Sequence, residues 1–148
     1  MTTFRRNPVV LVVDDSAQDV TLIRAAFQGA NKALELRSAS SAEGARAYLT
    51  GSAPFADRVA NPAPDLVLLD IQMPIEDGLQ VLRWIRAQEE SWRRVPVVML
   101  TTSHDYNEIR RAYDLGANSF LVKPTGFHEL NKLILHVYNY WLMSNRFA

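Results

Sequence analysis

The sequence predicts an α/β fold in which a parallel sheet is covered by helices on both faces. Apolar runs of strand length alternate with segments in which apolar residues recur at helical spacing. The runs are continuously apolar, which is typical of parallel strands that are buried on both faces. Acidic residues directly follow two of these runs, at Asp14, Asp15 and Asp70. Since ligand sites in such sheets lie at the carboxyl ends of the strands, these acids indicate where a site forms.

Five segments have the length and composition of buried strands: 9–13, 34–38, 65–69, 96–101 and 118–122. A first helix follows the first strand, because Val20, Ile23 and Phe27 recur on one face. Ser16 and Asp19 precede that apolar face with the spacing of a capping box, with Asp in the position usually taken by Glu.

Four further helices are predicted: 41–49, 78–89, 105–115 and a fifth that starts near Gly126. Gly116 is a natural left-handed stop for the fourth helix. The aromatic residues of 138–143 prolong the fifth helix. Between the second helix and the third strand, residues 50–64 contain one glycine and three prolines and are predicted to form a long surface loop.

The composition predicts one domain over residues 1–148, with a core over about 7–137 and a C-terminal aromatic extension over 138–148. Lys and Arg number 16, as do Asp and Glu, so no charge excess favours nucleic acid or an anionic membrane. The absence of cysteine excludes disulfides and thiolate chemistry. No apolar run approaches the roughly 20 residues that span a bilayer. Residues 1–8 lack a hydrophobic stretch, so a cytoplasmic location is expected.

Five polar residues are expected to meet at the carboxyl edge of the sheet: Asp14, Asp15, Asp70, Thr101 and Lys123. Each one follows or ends a predicted strand. Several carboxylates in one cleft are destabilising unless a cation offsets them. Oxygen ligands without a neighbouring His or Cys suit a hard ion, and Mg²⁺ keeps waters that a phosphate oxygen can displace. The leading hypothesis is therefore a magnesium-dependent phosphoryl-acceptor site.

In this interpretation Asp70 is the nucleophile and becomes an aspartyl-phosphate. Lys123 supplies a fixed counter-charge, and the Thr101 hydroxyl donates to a phosphoryl oxygen. Phosphoryl transfer depends mainly on positioning and electrostatics, which a small site can supply. Gln72 and Thr102 flank the side from which water would attack, so changes there should alter hydrolysis more than acceptance.

Four motifs carry a resemblance to a known family: residues 12–15 (VVDD), 68–74 (LLDIQMP) with Asp77-Gly78, 100–102 (LTT) and 122–124 (VKP). In combination and order they resemble bacterial response-regulator receiver domains over about 7–137. The resemblance implies a flavodoxin-like (βα)5 fold, doubly wound, with five parallel strands in the order 2-1-3-4-5 and an extended last helix.

The resemblance also implies site roles. A sensor histidine kinase is the donor to Asp70, so the protein is a phosphoacceptor and not a turnover enzyme. Mg²⁺ is held by Asp15, Asp70 and the main-chain carbonyl of Gln72, with Asp14 acting mostly through water.

Two further features of the family fall on β-strand ends. Thr101 and Phe120 match a switch pair, in which movement of the hydroxyl towards the phosphoryl group is coupled to rotation of the aromatic ring. The Lys123–Pro124 peptide bond matches one that is often cis in the family, which gives Pro124 a structural role.

The 50–64 loop, the Leu100–Ser103 segment and the aromatic tail are similar to those of stand-alone response regulators paired with bacterial phytochromes. That similarity implies a light-controlled kinase as the donor. No helix-turn-helix follows the receiver-like portion, so the signal is expected to leave by protein–protein contact.

The tail offers a candidate partner surface, since Tyr138, Trp141 and Leu142 have i, i+3, i+4 spacing. This stripe either folds onto its own domain or packs against a second copy, and we favour a homodimer. Ile109 and Tyr113 on the fourth helix extend that contact.

Three other function classes were weighed. A haloacid-dehalogenase-like phosphatase requires a second acid two residues after the nucleophile, where this chain has Gln72. A flavin or nucleotide binder requires a phosphate-binding loop after the first strand, but residues 14–17 place two anions there. A degenerate receiver serving as a pure binding module is disfavoured because all five site positions are filled.

Overall fold

The computed structural model describes residues 7–147, which form a five-stranded sheet flanked by helices. The strands are β1 (Val9–Val13), β2 (Glu35–Ala39), β3 (Leu66–Leu69), β4 (Val97–Thr101) and β5 (Ser119–Val122). The helices are α1 (Ala17–Ala30), α2 (Ala42–Thr50), α3 (Gly78–Ala87), α4 (Tyr106–Asp114) and α5 (Phe127–Val137). All the predicted elements are present, with small shifts at their ends. The predicted domain also included residues 1–6 and 148, which lie outside the described part of the chain.

All neighbouring strands are parallel, and their order is β2-β1-β3-β4-β5, which confirms the predicted topology. Val13 at the end of β1 lies opposite both Ala39 and Leu69. The ladder continues one residue further, because the Asp70 N–H donates to the Val13 carbonyl at 2.9 Å and the Asp14 N–H donates to the Ala39 carbonyl at 3.0 Å. This register brings Asp14 and Asp70 side by side.

The sheet separates two apolar clusters. One contains Leu11 and Val67 and packs against α2, α3 and α4, whereas the other contains Val10 and Leu68 and packs against α1 and α5. Consecutive strand residues point to opposite faces, so continuously apolar strands fill both clusters at once. This explains why β1 and β3 show no polar alternation. None of the helices within residues 7–147 is long and apolar enough to cross a membrane.

The predicted surface loop lies between α2 and β3 and is anchored to the end of α2. The Arg58 guanidinium donates to the carbonyls of Tyr48 at 2.8 Å and Leu49 at 3.0 Å, which lie in the last turn of α2. The Tyr48 hydroxyl donates to the Pro62 carbonyl at 2.7 Å, and the rings of Tyr48 and Phe55 pack 5.1 Å apart. The loop is therefore held by defined contacts along its length.

The last helix continues beyond α5 as a π-helical segment, Tyr138–Ser144, and the Asn145 N–H donates to the Tyr140 carbonyl at 2.7 Å. Tyr138 and Leu142 are buried in the cluster formed with α1 and α5. The apolar core therefore extends past Val137, where the sequence analysis had ended it. Of the two alternatives for the tail, Tyr138 and Leu142 fold onto their own domain, so they are not an exposed dimer stripe.

One expectation from the family resemblance is wrong. The Lys123–Pro124 peptide bond is trans, and the cis peptide bond within residues 7–147 is Ala53–Pro54. The trans isomer is the intrinsic preference of an X–Pro bond, by about 0.5–1 kcal/mol. Pro124 nevertheless follows the site lysine directly and is half-buried.

Candidate functional site

Three carboxylates form a cluster at the carboxyl edge of the sheet. Oxygen atoms of Asp14, Asp15 and Asp70 all lie within 4.8 Å of one another. Asp14 and Asp70 are buried, whereas Asp15 is exposed. The Ser16 N–H donates to Asp14 Oδ1 at 2.9 Å, so the turn after β1 fixes the direction of this carboxylate. The structure thus brings together the three acids that the sequence analysis selected.

The Lys123 ammonium lies among three carboxylates. Its Nζ is 2.6 Å from Asp14 Oδ2, 2.9 Å from Asp19 Oδ2 and 3.3 Å from Asp70 Oδ2. The main-chain N–H of the same lysine donates to the Thr101 carbonyl at 2.7 Å. Both ends of the residue are therefore fixed, and its ammonium touches the proposed nucleophile.

Burial alone would lower the pKa of Lys123, but hydrogen bonds from Asp14 and Asp19 and the charge of Asp70 outweigh it and raise that pKa. Because the pKa of Lys123 is higher in the folded protein, the stability that this group contributes is fully present below its ordinary pKa of 10.5 and is lost only as the pH rises through the folded value. Lys123 is therefore cationic at neutral pH, as a counter-charge for a phosphoryl group must be.

For Asp14, in contrast to Lys123, the effect of burial on the pKa is stronger than the effect of the hydrogen bonds. Burial raises the pKa of this carboxyl, and the contacts from Lys123 and Ser16, which lower it, do not restore the ordinary value. Asp70 adds like charge, which raises the pKa further. Burial is the largest of these causes, because it disfavours the charged form of the carboxyl. One ammonium is also shared among three anions, so the site has an excess of negative charge.

This donor set fits a hard divalent cation. The clustered ligands are carboxylate oxygens, which are the preferred donors of Mg²⁺. One ammonium, that of Lys123, contacts two of the three clustered carboxylates, so the cluster has more negative than positive charge. Asp15 is exposed, which leaves the mouth of the cluster open to ligand waters. Asp15, Asp70 and the carbonyl of Gln72 would hold the ion, as the family resemblance implies.

Gly78 allows the chain to return directly under the end of β3, at Asp70. A Cβ atom at this position would lie 2.0 Å from the Asp70 carbonyl oxygen. The Gly78 N–H donates to the Ile71 carbonyl at 2.9 Å, and helix α3 starts there with a capping box between Asp77 and Gln80. The Asp-Gly pair of the motif therefore begins α3 and fixes the backbone of Asp70.

Gln72 and Thr102 lie next to the acceptor and bond to each other. The Thr102 hydroxyl donates to Gln72 Oε1 at 3.1 Å, although both residues are exposed. The Gln72 N–H also faces Asp70 Oδ1, at 3.3 Å. The two residues expected to control water access thus form a bridge from the β3–α3 loop to the β4–α4 loop.

The β3–α3 loop has a second tie on the side of α2. Arg46 on α2 forms a two-pronged ion pair with Glu76, one contact of which is 2.8 Å long, and its guanidinium lies 5.5 Å from the Trp84 ring centre. Between these contacts Ile75 is fully exposed and has a φ of 72°. That backbone region is uncommon for β-branched residues, so the backbone is strained at Ile75. The apolar side chain of this residue is exposed to solvent.

Thr101 ends β4 beside the acceptor strand and is fully buried. Its Oγ1 accepts from the Ser103 N–H at 3.4 Å, so the hydroxyl proton stays available to donate. Phe120 is half-buried and packs on the cluster that contains α4. The structure therefore places both members of the expected switch pair, one on β4 and the other on the adjacent edge strand β5.

The β5 edge has a contact that sequence reasoning missed. The Phe120 N–H donates to the Tyr113 hydroxyl at 3.1 Å, so α4 supplies the acceptor that a missing sixth strand would have given. Tyr113 is half-exposed, and Ile109, one turn earlier, is half-buried.

Asp19 was interpreted only as part of a capping box. Ser16 Oγ does accept from the Asp19 N–H at 3.2 Å, but the Asp19 carboxylate contacts Lys123. A signal was present in the sequence: Asp19 falls in the first turn of the helix that follows Asp14 and Asp15, and therefore lies near the same edge of the sheet.

Comparison with known proteins agrees with this geometry. The response regulator Rcp1 of Synechocystis is 32% identical over 134 residues, which cover 90% of this chain and 88% of that protein. The crystal structure of a phosphorylated cyanobacterial phytochrome response regulator, RcpA, matches with a TM-score of 0.88 and 28% identity, over 95% of this chain and 97% of the other. RPA3017, a response regulator in red light signalling of R. palustris, matches with a TM-score of 0.85 and 34% identity, over 94% and 96% of the two chains.

The family model for the response regulator receiver domain matches residues 10–135. That range contains the acidic cluster, Lys123 and all five strands except Val9, the first residue of β1. Two of the similar solved structures are a phytochrome response regulator and a response regulator in red light signalling, as the sequence motifs had indicated. The fold, the arrangement of the site and these matches agree, and the chain belongs to the response regulator receiver domain family.

Proposed function

We propose that Asp70 accepts a phosphoryl group from the phosphohistidine of a sensor histidine kinase, in a magnesium-dependent reaction that switches protein–protein contacts. One observation carries this proposal: Asp70 lies in a carboxylate cluster within 4.8 Å of Asp14 and Asp15, and the Lys123 ammonium touches it. The acid cluster, the nucleophile Asp70 and the counter-charge of Lys123 that the reaction needs are thus close neighbours.

In the transfer, an Asp70 carboxylate oxygen forms a bond to phosphorus while the phosphorus–nitrogen bond of the donor breaks, and its electron pair returns to the imidazole. Lys123 donates to a phosphoryl oxygen, and the free Thr101 hydroxyl proton is available to a second one. Mg²⁺, when bound, neutralises charge on the transferring group. Because the chain accepts the group once and releases it by hydrolysis, it acts as a switch and not as a turnover enzyme.

The proposed donor is a bacterial phytochrome. Support comes from Rcp1, RcpA and RPA3017, whose similarity covers 90%, 95% and 94% of this chain. The test is phosphotransfer from a purified phytochrome kinase under red and far-red light. Transfer that depends on the light condition is expected, and equal transfer from unrelated histidine kinases would contradict the pairing.

The first experiment is intact mass spectrometry after incubation with Mg²⁺ and acetyl phosphate. A single labile phosphoryl adduct is expected in the wild type, and none in Asp70→Asn or in metal-free protein. Asp57→Asn is the matched control, because Asp57 is exposed in the α2–β3 loop and should leave the adduct unchanged. An adduct that persists in Asp70→Asn would contradict the assignment of the acceptor.

A homodimer also forms part of this proposal, through the predicted residues that are not fully buried. These are exposed Tyr113 and half-buried Ile109 and Trp141, and exposed Leu135 of α5 adds to them. Sedimentation equilibrium should show a dimer that Leu135→Glu weakens. Val59→Glu is the control, because Val59 is exposed on the distant loop. A wild-type monomer at all concentrations would contradict the dimer.

A further inference from the structure

The Lys123 ammonium uses its full hydrogen-bonding capacity. An ammonium has three N–H donors, and three carboxylates accept from it: Asp14 at 2.6 Å, Asp19 at 2.9 Å and Asp70 at 3.3 Å. The Asp70 contact is the longest of the three. Asp70 is also the group whose oxygen is phosphorylated in the proposed function. The N–H that donates to Asp70 is therefore the one that would donate to a phosphoryl oxygen instead.

Two of these three partners belong to the carboxylate cluster. Asp14 and Asp70 are members of the group that could hold a metal ion, whereas Asp19 is not. A cation in the cluster competes with the ammonium for the oxygens of Asp14 and Asp70. Among the described residues that hydrogen-bond Lys123 Nζ, Asp19 is therefore the one anion that remains committed to the lysine.

Asp19 is built to hold a fixed position. It lies in the first turn of α1, where its N–H bonds to the capping Ser16 side chain, and only 31% of its side chain is exposed. A lysine side chain has four flexible methylene groups, so fixing its main chain does not fix its charge. An anion on a packed helix, such as Asp19, can fix the position of the ammonium at the end of the flexible lysine side chain.

We propose that Asp19 is a positioning residue, which holds the Lys123 ammonium beside Asp70 when metal and phosphoryl group occupy the other carboxylates. The inference rests on the proposed function, since it assigns a role in the same site. Asp19 touches neither the acceptor nor the transferred group, and acts through Lys123.

The decisive measurement observes the ammonium directly. Lysine side-chain ¹⁵N–¹H spectra detect ammonium protons that are protected from exchange with water, and the chain has only two other lysines, Lys32 and Lys132, both exposed. We expect a protected Lys123 signal in the wild type with and without Mg²⁺. In Asp19→Asn the signal should persist without Mg²⁺ and be lost when Mg²⁺ is added.

Rates provide a second readout. At saturating Mg²⁺, Asp19→Asn should accept phosphoryl from acetyl phosphate about tenfold more slowly, because a charge-assisted hydrogen bond is lost. Asp19→Glu should restore most of the rate, since a carboxylate returns within reach. Glu43→Gln is the matched control: Glu43 is an exposed acid in the first turn of α2 and should leave both readouts unchanged. Thermal melts confirm that each variant is folded.

A Lys123 signal that survives Mg²⁺ in Asp19→Asn would overturn the inference, and so would a wild-type signal that Mg²⁺ itself removes. Failure of Asp19→Glu to restore an impaired rate would also overturn it, because charge would then not be the cause. The spectra need no phosphorylation. If the wild type takes no phosphoryl group, the proposed function fails while the spectra still decide whether Asp19 holds the lysine.

Discussion

Single charged groups decide the behaviour of the acidic site. Asp14 and Asp70 are buried in contact with one ammonium, and burial is the largest cause of the raised Asp14 pKa. Paired acids of this kind lower the stability of the metal-free fold at neutral pH while creating affinity for a cation. Stability and function are therefore in conflict at Asp14.

Asp14→Asn should raise the unfolding midpoint of the metal-free protein at pH 7. Because the folded pKa of Asp14 is raised above its ordinary value of 3.8, the stability it contributes is present below that value and is lost as the pH rises through the folded pKa. The variant should lose this advantage in acid and bind Mg²⁺ more weakly. Thermal melts over a pH series check the sign, and a midpoint that falls at pH 7 would contradict it.

Gln72 and Thr102 should control the lifetime of the phosphorylated form. Their mutual hydrogen bond crosses the side of Asp70 from which water would attack. Gln72→Ala and Thr102→Ala should each change the rate of dephosphorylation more than the rate of phosphorylation by acetyl phosphate. Decay of the phosphoryl adduct, followed by intact mass, measures this, and unchanged decay in both variants would refute it.

At this scale the sequence revealed the acids, Thr101 and Lys123, because each ends an apolar run. It did not reveal that Asp19 contacts Lys123. An acid at this position of the first helical turn is expected for the capping box alone, so the sequence does not indicate a second role. The direction of a side chain depends on packing between α1 and the end of β5, and local spacing does not contain that information.

At the scale of the elements, the turn between β3 and α3 depends on the absence of a side chain at Gly78. Contact with the Asp70 backbone leaves no space for a Cβ atom. The strands and helices themselves were predictable, because continuous apolar runs and helical periodicity are local patterns. The contacts that tie loops to helices, such as Arg46 with Glu76, were not, since the two residues are distant in sequence.

Gly78→Ala should destabilise the protein by about 3 kcal/mol or more, the upper range for overpacking, because the added carbon meets backbone that cannot move aside without displacing Asp70. Urea unfolding measures the loss. Gly29→Ala is the control: a Cβ atom there meets nothing within 4 Å, and α1 should gain about 0.5–1 kcal/mol. Equal stability of the two variants would contradict this account of the turn.

At the scale of the whole molecule, the C-terminal extension completes the cluster on the α1 and α5 side of the sheet. The aromatic tail was detected in the sequence, but its periodicity suits a core and a dimer interface equally. Burial of Tyr138 and Leu142 within the same chain resolves that ambiguity. Only tertiary packing distinguishes these two uses of one apolar stripe.

Leu142→Ala should therefore cost about 2–5 kcal/mol of unfolding free energy, as expected for a buried leucine. The loss should not depend on protein concentration, because the contacts lie within one chain. Val59→Ala is the control, since Val59 is exposed on the α2–β3 loop and should cost far less. A loss that disappears at high protein concentration would instead place Leu142 in an interface between copies.

The two apolar clusters also divide the tryptophans of the protein. Trp84 and Trp92 pack together, 5.5 Å apart, on the α2–α4 side, whereas Trp141 lies on the α1–α5 side. Fluorescence can consequently follow each side separately. A Trp141→Phe variant emits from the first side only, and a variant with both other indoles replaced by Phe emits from the second. Coincident denaturation curves from the two would show that the central sheet makes the molecule unfold as one cooperative unit.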